Sequence, residues 1–131
     1  MVLGGLADLY AATKDAALLT AGAGVADAVL QRETTGGILV EPEAINRQDA
    51  ALFKGIFARN LAAFADALPP SMAASQAKYR AFLAKNAASA TAIGSTTAHK
   101  YGSLWQGPVD PRAKPCCGKN PCYCCSLISC W

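Results

Sequence analysis

The chain has 131 residues, enough for one modest domain and too few for two. Alanine supplies 28 of them, aromatic residues are 8% and charged residues 16%, so the average side chain is small and weakly charged. That mixture suits closely packed helices and excludes both a disordered chain and a β-sandwich rich in Val, Ile, Thr and aromatics. The formal charge of +3 is uneven: residues 1–98 hold eight Lys/Arg and eight Asp/Glu, so the body is neutral. It lacks the basic stripe that a nucleic-acid partner requires.

From Val2 to Thr13 the apolar residues Leu3, Leu6, Leu9 and Tyr10 recur at three and four, the helical period. Lys14 and Asp15 break it, and Asp15 suits the N-cap of a second helix reaching about Arg32. That helix carries Leu18, Val25 and Val29 on one side, with Leu19, Ala26 and Leu30 beside them. The two helices form a short-looped hairpin. Gly4, Gly5, Gly22 and Gly24 fall inside them, where each costs about 1 kcal/mol against alanine. Close approach of helix backbones is the expected compensation, because no strand precedes these glycines and their spacing matches no phosphate-binding loop.

Thr34-Thr35-Gly36-Gly37 signals a turn, and Ile38-Leu39-Val40 reads as a short extended segment stopped before Pro42. A third helix is expected over Asp49 to Leu68, with Asp49 as its cap and Leu52, Phe53, Ile56, Phe57, Leu61, Phe64 and Leu68 as a broad apolar face. Lys54 and Arg59 interrupt this face and read as a solvated flank. Pro69-Pro70-Ser71 closes the helix. A fourth runs from Met72 to about Ile93, with Tyr79, Phe82 and Leu83 inward and Lys78, Arg80 and Lys85 outward. Beyond Gly94 the regular pattern ends, and Tyr101 to Pro108 reads as an aromatic, glycine-containing loop around Trp105.

Near residue 110 the composition changes. All six cysteines, Cys116, Cys117, Cys122, Cys124, Cys125 and Cys130, fall in the last sixteen residues, so any disulfides would close only on one another and not staple the helices. The boundaries expected are therefore 1–110 for the helical body and 111–131 for an irregular Cys/Pro-rich tail, disordered and appended to the fold. The tail lacks paired C-x2-C units, and a cluster of soft-metal thiolates is the alternative. No metal site is assigned to the body, no run of 18 apolar residues could span a membrane, and Met1 to Tyr10 does not read as a signal peptide.

Candidate chemistry is sparse. A single histidine, His99, rules out a two-histidine metal site within this sequence; it reads as an exposed, non-catalytic loop residue. Glycoside hydrolysis needs two carboxylates roughly 5 to 10 Å apart, and no two acidic residues are adjacent in this sequence. Glu41 and Glu43, two apart on an extended segment, point to opposite sides. Trp105 suits either a sugar-stacking platform or a plug at the helix ends.

Four stretches carry a resemblance to a known family: Val2 to Asp15; Gly37-Ile38-Leu39-Val40-Glu41-Pro42-Glu43; Gln48 to Leu61, centred on Phe53-Lys54-Gly55-Ile56-Phe57; and Leu104-Trp105-Gln106-Gly107-Pro108. Across residues 2 to about 110 the chain resembles the C-terminal portion of glycoside hydrolase family 76, the α-1,6-mannanases and their cell-wall relatives. The resemblance implies an all-α fold: helical hairpins forming the C-terminal part of an (α/α)6 barrel, with sugar-binding loops at one end. It implies mannan as the carbohydrate partner and a secreted or wall-attached setting, with no cofactor.

The family's catalytic residues are two neighbouring aspartates, and no pair here corresponds to them, so no catalytic residue is assigned. The resemblance makes Glu41, Glu43, Asp49 and Trp105 the substrate-binding residues. The expectation is a mannanase-like fragment, inactive alone, that self-associates through uncovered helix faces. A non-catalytic mannan-binding or interaction module is the alternative, and a Cys-rich metal-binding peptide the third.

Overall fold

A computed structural model describes residues 2–40, 53–93 and 105. Among the described residues there are four helices, α1 (Val2–Thr13), α2 (Ala16–Arg32), α3 (Phe53–Ala67) and α4 (Ala73–Ile93). Between α2 and α3 lie two strands of two residues each, β1 (Thr34–Thr35) and β2 (Ile38–Leu39). The fold is all-α. Helix α1 packs against both α2 and α3, and α3 packs against α4. The Asp49 cap and Leu52 expected at the start of the third helix, the Pro42 stop, His99 and residues 111–131 lie outside the described residues.

The first hairpin turns within two residues. Lys14 takes the left-handed conformation, φ 59°, and its N–H donates to the Tyr10 carbonyl at 2.8 Å, which ends α1 with an αL cap. Asp15 then caps α2, its Oδ1 accepting from the Ala17 N–H at 2.9 Å, as its residue type and position had indicated.

Leu3 and Ala7 of α1, Leu19 and Ala26 of α2, Leu61, Phe64 and Ala65 of α3, and Tyr79 and Leu83 of α4 make one core. On α2 the buried line is Leu19, Gly22 and Ala26, whereas Val25 is 41% exposed. The inward face is therefore rotated away from Val25 toward Gly22. The reason is the ring of Phe64: a Cβ at Gly22 would come within 2.6 Å of its Cζ, so only glycine admits the ring. Gly4 likewise faces Asn60 of α3, but Gly5 and Gly24 have open space where a Cβ would stand. Close approach thus accounts for two of the four helical glycines.

Helix α3 buries Leu61 and Phe64 as its period requires, but Phe53, at its first turn, is half exposed. The connection to α4 is a single 3-10 turn, Pro70–Met72, and Gln76 Nε2 of α4 donates to the Ala65 carbonyl at 2.8 Å, which also accepts from the Leu68 N–H at 3.3 Å, so both partners fasten the end of α3. So short a link makes α3 and α4 antiparallel neighbours. The Phe64 and Tyr79 rings, 6.2 Å apart and tilted by 49°, lock the pair in the core.

The turn signal at Thr34 to Gly37 and the extended segment after it close into a β-hairpin over Thr34 to Leu39. Thr34 pairs with Leu39 and Thr35 with Ile38, and Gly36 and Gly37 have φ of 61° and 77°. A two-residue turn of this kind needs positive φ at both central positions, which glycine alone adopts without strain. Ile38 and Leu39 are both buried although they alternate in direction, because β2 is tucked against α4.

Candidate functional site

Because α3 and α4 run antiparallel, the start of α3 and the end of α4 meet at one end of the bundle. The hairpin that follows α2 docks there too, and the last three turns of α4 hold it. Tyr79, Leu83, Asn86 and Ala90 form the buried line of α4, so Asn86 is a polar side chain set in an apolar row, 1% exposed. Burial of an amide is tolerable only when its donors and acceptor are used. Asn86 Oδ1 accepts from the Leu39 N–H at 2.8 Å, while Nδ2 donates to the carbonyls of Phe82 at 2.9 Å and Gly37 at 3.2 Å. Lys85, beside it, donates to the Gly36 carbonyl at 2.8 Å. Adjacent side chains thus grip both glycines of the turn.

One turn further, Ser89 Oγ donates to the Trp105 carbonyl at 2.6 Å. The indole of Trp105 lies under the ammonium of Lys54, whose Nζ is 5.3 Å from the ring centroid, within the range of a cation–π contact. Lys54 is only 3% exposed. The solvated flank expected for it is therefore corrected: the residue belongs to the interior of the helix end, and its charge is engaged there. Trp105 itself is partly exposed. Of the four residues assigned to substrate by resemblance, Trp105 stands at this end of the bundle; Glu41, Glu43 and Asp49 lie outside the described residues.

Lys54, Asn86 and Ser89 had not been singled out as site residues. A single signal pointed to Lys54, a charge inside the apolar run Phe53-Lys54-Gly55-Ile56-Phe57, and the default for such a charge is a solvated position. Ser89 sits in the Ala-rich stretch Ala87-Ala88-Ser89-Ala90, and no sequence pattern marks it.

A second polar cluster joins α2 to α4 away from this end. The Tyr79 hydroxyl is 3.0 Å from Asp27 Oδ1 and 3.3 Å from the Ala23 carbonyl, and Lys78 Nζ pairs with Asp27 at 2.7 Å. Burial, then the hydrogen bond and charge of Asp27, push the Tyr79 phenol well above its ordinary range. It stays neutral at physiological pH, a structural donor and a poor base. Asp66 is likewise engaged, by Arg80 at 2.8 Å on the surface.

No helix among the described residues is long and apolar enough to cross a membrane. No curated protein and no solved structure matches the chain. The profile of glycosyl hydrolase family 76 matches residues 1–115, which takes in all four helices, the clamped hairpin and Trp105, and the chain belongs to that family.

Proposed function

We propose that these residues form one wall of a mannan-binding cleft, recognising α-1,6-linked mannose without cleaving it. Family 76 enzymes are glycoside hydrolases built as (α/α)6 barrels, and the paired antiparallel helices here fit that all-α architecture. The observation that carries the reading is Trp105, partly exposed at the end of the bundle where α3 begins and α4 ends, its backbone tied to Ser89 and its ring set against Lys54. An aromatic ring fixed at the end of a helical bundle is a group on which the apolar face of a pyranose stacks. Glu41, Glu43 and Asp49 are proposed as hydrogen-bond acceptors for sugar hydroxyls on the same wall, on the strength of the family resemblance.

Turnover is a separate matter. Breaking a glycosidic bond takes two carboxylates placed on either side of it, and the sequence contains no adjacent acidic pair. Uncatalysed hydrolysis is far too slow to observe. Calorimetric titration of the purified chain with α-1,6-mannose oligosaccharides should give saturable binding that Trp105→Ala abolishes, while a reducing-end assay on α-1,6-mannan should stay at the blank. Absence of saturable binding overturns the binding reading. Turnover that Asp49→Asn or Glu41→Gln removes overturns the non-catalytic one.

A further inference from the structure

We propose that Lys54 and Ser89 are positioning residues that hold Trp105 in a single pose before any ligand arrives. This rests on the reading of Trp105 as the sugar platform and names the residues that make it one. The two contacts are independent. Ser89, on α4, fixes the backbone of residue 105 through its carbonyl at 2.6 Å; Lys54, on the first turn of α3, fixes the ring with an ammonium 5.3 Å from its centroid. One restrains where the residue stands and the other which way the indole faces.

The choice of lysine is the telling feature. Desolvating an ammonium is costly, and a leucine or methionine would fill a buried position without that penalty. Yet Lys54 is 3% exposed and the indole is among the groups its ammonium meets, with Nζ 5.3 Å from the ring centroid, where removal from water strengthens the attraction to the ring face. Both anchors come from α3 and α4, which pack together in the core, so the helix pair holds Trp105 at two points. Ordering a loop tryptophan on binding costs affinity, and a ring ordered during folding avoids that cost. The contacts therefore act on sugar affinity although neither side chain need touch the sugar.

The test uses the full chain carrying Trp131→Phe, which leaves Trp105 as the one tryptophan and a clean reporter, since the sequence has two. Time-resolved fluorescence anisotropy reads the wobble of the indole, and emission quenching by an α-1,6-mannose tetrasaccharide reads binding. In Ser89→Ala and Lys54→Met the wobble amplitude should rise at least about twofold and the sugar Kd about five- to tenfold, the size of one side chain's ordering cost. Lys54→Arg, which keeps a cation over the ring, should restore both to within about twofold. Circular dichroism checks each fold, and Ser89→Ala decides the matter alone if Lys54→Met does not fold. Wobble unchanged in the folded variants overturns the positioning role. Increased wobble with unchanged sugar affinity overturns its bearing on binding. A parent chain that does not bind the sugar overturns the platform reading itself, and the wobble measurement still decides whether Lys54 and Ser89 orient Trp105.

Discussion

The Tyr79 hydroxyl sits 3.0 Å from Asp27 Oδ1 and ties α4 to α2, with the phenol ring wholly buried and the same carboxylate held by Lys78 from outside. Burial first, and then Asp27, raise the phenol's pKa in the folded chain, whereas in the unfolded chain it ionises near 10. The folded state thus holds the proton more tightly. Its contribution is fully present below about pH 10 and is lost as pH rises from there through the folded value. Urea unfolding between pH 7 and 11 should show stability falling above pH 10. Tyr79→Phe should cost about 1 kcal/mol at pH 7 and make that alkaline decline shallower.

Gly22 and Gly24 lie one turn-fraction apart on α2 and should respond to alanine with opposite sign. A methyl at Gly22 meets the Phe64 ring, deep in the core, while one at Gly24 meets nothing within 4 Å. Gly22→Ala should destabilise by about 1 to 3 kcal/mol through overpacking. Gly24→Ala should stabilise by up to about 1 kcal/mol, the difference in helix propensity. Thermal melts of the two variants side by side check the contrast.

Lys14 holds a left-handed backbone that its Cβ disfavours, φ 59°. Its ammonium lies 5.6 Å from the Tyr10 ring centroid at the surface, a small compensation. Lys14→Gly should stabilise the chain by about 0.5 to 1 kcal/mol, read as a rise of several degrees in Tm for a domain of this size.

Asn86 carries three hydrogen bonds in an apolar row. Asn86→Ala strands the Leu39 N–H, which belongs to a residue 2% exposed, and should cost about 2 to 4 kcal/mol. Lys85→Ala removes only an exposed bond to Gly36 and should cost less than about 1 kcal/mol. Chemical denaturation of both variants separates the buried grip from the surface one.

The helices could be read from the sequence because the signals that make them are local: the three-and-four spacing of Leu61, Phe64 and Leu68, the Asp15 cap and the prolines between α3 and α4. The helix faces were less legible. Val25 is as apolar as Ala26, and only the Phe64 ring, arriving from α3, decides that Gly22 and not Val25 turns inward. The hairpin escaped because two residues per strand are too few for an alternating pattern, although Gly36-Gly37 marked its turn. At the site, Trp105 stood out as a lone tryptophan in a glycine-containing stretch. Lys54 did not, since its contact with the indole joins positions far apart in the chain, and charge alone argues for solvent.

The clamp on the hairpin has a kinetic consequence. Asn86 reaches Leu39 across 47 residues and Gly37 across 49, whereas the α1–α2 turn closes within a few. Such distant closure loses chain entropy before any contact repays it, so the helix pairs should form early and the hairpin should settle onto α4 after the rate-limiting step. Stopped-flow measurements on Asn86→Ala should then show the lost stability almost entirely as faster unfolding, with the folding rate near that of the parent. The end of the bundle that bears Trp105 is in this sense the last part of the protein to be built and the first to come undone.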